Sequence, residues 1–184
     1  MSDCKLFKGK SGKVYFGTKR FDRIGTKRLH MHSAAGIIHD NFRLSNLDYG
    51  HFMDCSFRLG RDVNVYEKVL RIAAFNVFAH NRDDHSKNIS FLMDEHGNWK
   101  LAPAYDLTFS SSSHGMHSTM VSGESANPTK QHLLELASYF KIKNASNIID
   151  QVQAVIYNWK TYAKQCNVST DSIKRIEKVI GKNS

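Results

Sequence analysis

Cysteine is scarce in this sequence and none of it is paired by spacing. Cys4, Cys55 and Cys166 are odd in number, lie far apart and contain no CxxC, which argues against a disulfide framework and offers no zinc pattern. They read as reduced thiols. Long apolar runs are missing too: none approaches the roughly 20 residues that a bilayer-spanning helix needs. The opening MSDCKLFKGKSGK is positively charged but lacks the apolar core and small-residue cleavage site of a secretory signal. These absences lead to the expectation of a cytoplasmic protein without membrane contact. Acidic residues are outnumbered, 17 against 26 Lys and Arg, which leaves a formal charge of +9 beside ten histidines. Such a surface attracts nucleic acid, acidic partners or phosphates. The basic residues are spread along the chain, however, and no RRM, zinc-finger or basic-helix pattern accompanies them, so a plain basic surface is the first reading. There is no internal repeat and no G-x-S-x-G around the serines of residues 110–113. GKSGK is not a Walker A loop, because Cys4 stands where the first glycine would be needed.

What is present suits one soluble domain, or one lobe of a larger fold. A hydrophobic share of 41% and a charged share of 23% are ordinary for a globular chain, and 184 residues can bury a real core. Residues 13–18, KVYFGT, predict a strand after the GKSGK turn, and KRFDR leaves it. Residues 29–60 show no clear period and read as short helices and loops. From Val65 the pattern sharpens: Val65, Val69, Ile72, Asn76 and Ala79 fall at helical spacing, widened by Phe75 and Phe78 into a largely buried helix. ISFLM, the turn residues DEHGN and WKLAP then predict a β-hairpin ended by Pro103. The serine-rich residues 110–119 read as a mobile loop. Asn127 and Pro128 offer an N-cap and first-turn proline for a helix through Tyr139. Ile148 to Ala163 carry a second helical stripe, and Ile173, Ile176 and Ile180 a third that stops near Gly181. The expected fold is mainly α (α+β), a helical lobe carrying a small hairpin.

The chemistry concentrates in NRDDHSKN, residues 81–88, delivered by the buried helix. Phosphoryl transfer needs a carboxylate to orient or deprotonate the attacking hydroxyl, and oxygen ligands that hold Mg²⁺ against nucleotide phosphates. Arg82, Asp83 and Asn88 reproduce R-D-x-x-x-x-N, and the hairpin should return Asp106 of AYDL beside Asn88. That spacing assigns Asp83 as base and Asn88 with Asp106 as metal ligands. Asp84 should point away from the site and reads as a loop-capping or surface carboxylate. His85 and Lys87 could contact phosphate, and protonation of His85 would make activity pH-sensitive. His30, His32 and His39 lack a third properly spaced ligand and read as structural or surface histidines.

At these residues the sequence resembles the HipA family, the serine/threonine kinases of bacterial toxin-antitoxin systems. The likeness runs through NRDDHSKNISFLMDEHGNWKLAPAYDL and extends to KRFDR, RLHMHSAAGIIHDNFRLSNLDYG and HSTMVSGESANPTKQHLLELASYFKI, so it covers most of the chain. The resemblance implies a protein-kinase-like C-terminal lobe over residues 1–184. Residues 1–23 would form turn, strand and hinge, 64–107 the catalytic helix, loop and metal-binding hairpin, and 127–184 the C-terminal helices. It implies Asp83 as catalytic aspartate and an ATP-Mg²⁺ site made by His85, Ser86, Lys87, Asn88, Tyr105 and Asp106. Lys19, Arg20 and Phe21 would be the hinge whose backbone meets adenine.

The family further implies a protein substrate, an aminoacyl-tRNA synthetase in its best-known members. Its implied partners are a helix-turn-helix antitoxin of the HipB type and, through it, operator DNA. Family members carry a phosphate-covering N-terminal lobe with an ATP-binding lysine ahead of the hinge. Here about a dozen and a half residues precede KRFDR, so most of that lobe is expected to be missing or supplied by a separate chain. The alternative is a truncated or split, catalytically inactive module that binds antitoxin or DNA.

Overall fold

The protein is described from a computed structural model covering residues 1–112 and 115–180. Among these residues lie seven α-helices and three small antiparallel sheets. The strand expected at residues 13–18 is β2, Val14–Thr18, but it pairs with a strand the sequence reading missed, β1, Cys4–Lys8. Gly9 and Lys13 close the turn between them, and Gly12 takes a positive φ of 77°, which a side chain would resist. This ribbon keeps both faces open: Leu6 pairs with Phe16 and Phe7 with Tyr15, and all four are exposed. The minimal strands β3, Arg23–Ile24, and β4, Lys27–Arg28, follow.

Residues 29–60 are more regular than their sequence suggested. They supply β5, His30–Ser33, the short α1, Ala34–Ile37, and a three-turn α2, Tyr49–Gly60. The helix α2 starts on a capping box, with the Asp48 carboxylate accepting from Gly50 N at 2.8 Å and His51 Nδ1 accepting from Asp48 N at 2.9 Å. Tyr49, Phe52, Met53 and Ser56 form its buried face at i, i+3, i+4 and i+7. The fourth position is polar and hides the period. Ser56 survives burial because its hydroxyl donates to Phe52 O at 2.6 Å.

The predicted central helix is α3, Val65–Phe78. Val69, Leu70, Ala73, Ala74, Val77 and Phe78 are fully buried, so α3 forms the axis of the core. At about 25 cal/mol per Å² of apolar surface, each of the larger side chains contributes roughly 1.5–3 kcal/mol. Around α3 pack α2 and two of the later helices, α4 (Lys130–Tyr139) and α5 (Ala145–Tyr157), while α2 meets a sheet. The predicted hairpin forms as β6, Ser90–Met93, and β7, Trp99–Leu101, and β5 adds to β6 as a third strand, with His32 opposite Phe91.

The C-terminal helices are α4, Lys130–Tyr139; α5, Ala145–Tyr157; α6, Trp159–Gln165; and α7, Thr170–Ile180. Two sequence expectations are corrected here. The helix expected to be capped by Asn127 and Pro128 begins later, with Thr129 as N-cap in a capping box with His132. The stripe from Ile148 to Ala163 is two helices, not one. Asn158 breaks it, its side-chain amide donating to Ala154 O at 3.0 Å while its own N–H makes a tight turn bond to Val155 O. The stop expected at Gly181 lies outside the described residues, as do residues 113 and 114 of the serine-rich stretch.

Candidate functional site

The loop at residues 79–89 leaves the C-terminus of α3 under tight backbone control. His80 adopts a left-handed φ of 54°, a conformation disfavoured for side-chain-bearing residues. Its carbonyl accepts from Ser110 N, and Arg82 N donates to Ser110 O, both at 3.0 Å. The His80 ring stacks on Phe109 at 5.7 Å, and its Nδ1 is buried with no partner among the described residues. Burial, with the positive charge of Arg82 nearby, pushes the imidazole down to about 4. An unfolded histidine titrates near 6.5, so below that pH the unfolded chain takes a proton that the folded chain refuses. Stability therefore falls as pH drops from about 6.5 to about 4 and levels off below. Asn tolerates a left-handed φ, so His80→Asn should make the decline of the urea midpoint shallower across that window. An unchanged decline would show that His80 is not the group responsible.

Asp83 and Asp84 point to opposite environments. The Asp83 side chain is 58% exposed, its Oδ1 3.7 Å from His85 Nε2. Asp84 is buried, which corrects the reading of it as a surface carboxylate; the loop-capping role holds, but toward the core. Its carboxylate accepts from Tyr49 OH at 2.9 Å, His117 Nδ1 at 3.0 Å, Ser118 N at 2.8 Å and Thr119 N at 3.3 Å. The Thr119 hydroxyl donates to Asp84 O at 2.6 Å. These bonds also overturn the expectation of a mobile loop for the end of the serine-rich stretch, since His117 and Thr119 are buried. Burial and the Asp84 charge raise the Tyr49 phenol well above its ordinary value, so it stays a hydrogen-bond donor.

The network continues toward Asp106. Asn76 Nδ2 donates to Tyr49 OH at 2.7 Å, Asn81 Nδ2 to Asn76 Oδ1 at 2.9 Å and, more weakly, to Asp106 O at 3.4 Å. Tyr49, Asn76, Asn81, His117 and Thr119 were not singled out as functional from sequence. The available signal was Asn76, a polar residue inside an otherwise apolar helical stripe, since a buried amide demands partners.

The hairpin brings Tyr105 and Asp106 back to the loop. The Tyr105 hydroxyl donates to Lys87 O and meets Ser90 Oγ at 2.6 Å, and burial raises its phenol above the ordinary range. Asp106 is exposed and holds a left-handed φ of 53°. Strain of this kind costs on the order of 1–2 kcal/mol and is held in place by surrounding contacts. Asn88 closes a 3-10 turn over Ser86–Asn88, and its Nδ2 donates to Asp83 O at 3.0 Å. That bond leaves Asn88 Oδ1 free to accept from or ligate a partner.

His85, Asn88, Tyr105 and Asp106 line one narrow cleft, together with Asn81 and Asp84. Within it, Asn81 Oδ1 and His85 Nδ1 are buried without a hydrogen-bond partner among the described residues. Asn81, His85, Asn88 and Asp106 thus line one cleft, the first two with hydrogen-bonding capacity left unused. An oxygen pair from Asn88 and Asp106 also fits Mg²⁺, which is held by one or two protein groups plus phosphate oxygens and water. Among the described residues no group of three His, Cys, Asp or Glu could hold a metal alone. His30, His32 and His39 are exposed.

The other sequence-predicted residues occupy distinct places. Ser86 is buried and donates to Asp40 Oδ2 at 2.5 Å, so its hydroxyl is already used. Lys87 Nζ lies 3.5 Å from the centre of the Phe42 ring, which also meets the His85 ring edge-on at 5.3 Å. Lys19 and Arg20 are exposed, Lys19 N donates to Asp3 O at 2.8 Å, and Arg20 pairs with Asp22 at 2.6 Å. Phe21 reaches the site, its ring 5.8 Å from that of Tyr105.

No helix among the described residues is long and apolar enough to cross a membrane. No curated protein matches the sequence. Among solved structures, a chain of the Shewanella oneidensis MR-1 toxin-antitoxin complex of HipA, HipB and operator DNA shares the fold, with a TM-score of 0.66 at 15% identity. The match covers 98% of this chain and 50% of that one, so this chain spans half the length of its solved neighbour. The family model of the HipA-like C-terminal domain matches residues 1–159. The chain belongs to the HipA-like C-terminal domain family.

Proposed function

We propose that this chain is the catalytic lobe of a HipA-like, ATP-dependent serine/threonine protein kinase, kinase-like in fold and acting in the cytoplasm. The observation that carries the reading is the cleft lined by Asn88 and Asp106 together with Asn81 and His85, with the exposed Asp83 on the same loop. Bound Mg²⁺ would neutralise charge on the β- and γ-phosphates of ATP. Asn88 Oδ1 and the Asp106 carboxylate hold the metal. Asp83 accepts the hydroxyl proton of the protein substrate, and His85 and Lys87 contact phosphate. The backbone of Lys19, Arg20 and Phe21 faces adenine, and Ser86 contributes through its main chain. Tyr105 fixes the loop to the hairpin.

The phosphate-covering lobe is supplied by a further segment or a separate chain, in keeping with a solved neighbour twice as long. An antitoxin of the HipB type and operator DNA are the proposed partners, because the neighbour is a HipA, HipB and operator DNA complex. An aminoacyl-tRNA synthetase is the proposed protein substrate, on family resemblance. The same neighbour favours a second reading, in which the chain binds antitoxin or DNA and transfers nothing.

Calorimetric titration with a non-hydrolysable ATP analogue tests the first reading. Binding should require Mg²⁺ and weaken at least about tenfold in Asp106→Ala, a loss of roughly 1.4 kcal/mol. Binding indifferent to both metal and substitution would remove Asp106 from the site. A folded chain that binds no nucleotide even with the covering lobe supplied would leave the antitoxin or DNA module as the function.

A further inference from the structure

A cavity much larger than the cleft adjoins it and shares Ile72, Ala104 and Leu107 with it. It is an open trough of about 1000 Å³ between α3, α5 and the chain from β7 to Leu107. Its floor is apolar: Ile72 and Phe75 of α3, Leu101 of β7, Leu107 beyond the hairpin, and Val155 and Ile156 of α5. Val155 is 53% exposed, although the face it belongs to is apolar. The rim is cationic. Lys68 and Arg71 stand one turn before Ile72 and Phe75, Lys100 comes from β7, and Glu67 is the single acid among the lining side chains.

We propose that this trough is a docking site for an acidic amphipathic helix of a partner protein. Three features favour that occupant. The α3 side chains that line the trough run from Glu67 to Phe75, a wall of ~12 Å or a little over two helical turns. Two of its walls are helices, whose main-chain groups are bonded internally, so recognition falls to side chains meeting an apolar helix face, not to an added strand. The cations from α3 and β7 select carboxylates along the flanks of that face. A second copy of this chain is disfavoured, because each copy carries +9.

The test uses fluorescein-labelled peptides of about 16 residues, helical in isolation. One carries Leu at i, i+3, i+4 and i+7 with Glu flanks, one replaces Glu by Lys, and one scrambles the order. Anisotropy titration should show the acidic amphipathic peptide binding at least about tenfold tighter than either control, with affinity falling as salt rises. Val155→Glu, a change at an exposed position, should weaken that binding about tenfold. The Lys68→Glu, Arg71→Glu double variant should reverse the preference toward the lysine peptide. Equal binding of all three peptides, or acidic-peptide binding unaffected by either variant, overturns the proposal. So does a dimer in sedimentation that Val155→Glu dissolves, because it would assign the trough to a second copy.

Discussion

Asp84→Ala should lower the stability of the folded chain by roughly 3–5 kcal/mol, because each buried donor left without its acceptor costs about 1–3 kcal/mol. The carboxylate is the common acceptor for a phenol, an imidazole and two backbone N–H groups, contributed by residues 33 to 35 positions away. Removing it strands four donors, three of them on the buried residues Tyr49, His117 and Thr119. For a chain of this size the loss corresponds to a fall of about 10 °C or more in Tm. Asp84→Asn keeps the volume but turns an N–H₂ toward donors, so it should recover only part of the loss. A double-mutant cycle with His117→Ala locates the interaction: the two substitutions should be strongly non-additive, because His117 Nδ1 and Asp84 Oδ2 are 3.0 Å apart and both buried. Urea midpoints within about 0.5 kcal/mol of the parent would mean that Asp84 is dispensable to the fold.

That network explains why the site was only partly legible in the sequence. The spacing of Asp83, Asn88 and Asp106 is local to a loop and the hairpin beside it, and local spacing survives in a one-dimensional reading. The period of α3 was visible for the same reason, since its apolar residues repeat within one element. Asp84 could not be placed that way, because its partners come from α2 and from residues 117–119. β5 was lost because its pairing partner, β6, follows nearly sixty residues later and its own residues are largely exposed. The helix α2 was lost because Gly50, His51 and Ser56 dilute its stripe, while the capping box and the Ser56 hydroxyl bond supply what propensity does not. In α5 and α6 the stripe was right and the continuity wrong, because an asparagine side chain competing for a backbone carbonyl leaves no mark on hydrophobic periodicity.

Asp83→Ala should do the opposite of Asp84→Ala. With the phosphate-covering lobe supplied, loss of a general base costs on the order of 10²–10⁴ in transfer rate. Stability should stay within about 0.5 kcal/mol, because the side chain is more than half exposed and approaches the His85 ring only at 3.7 Å. Affinity for the Mg²⁺-nucleotide should also hold, since Asn88 and Asp106 carry the metal in this reading and Asn88 is fixed by the Asp83 carbonyl, which alanine retains. The measurement is single-turnover phosphate transfer alongside urea unfolding and nucleotide calorimetry on the same protein. Transfer that persists in Asp83→Ala would remove this residue as base. A rate loss accompanied by an equal loss of stability would make it structural. Adjacent aspartates that divide rate from stability would follow from their opposite directions: one side chain faces solvent at the mouth of the loop, while the next is turned into the core to hold that loop in place.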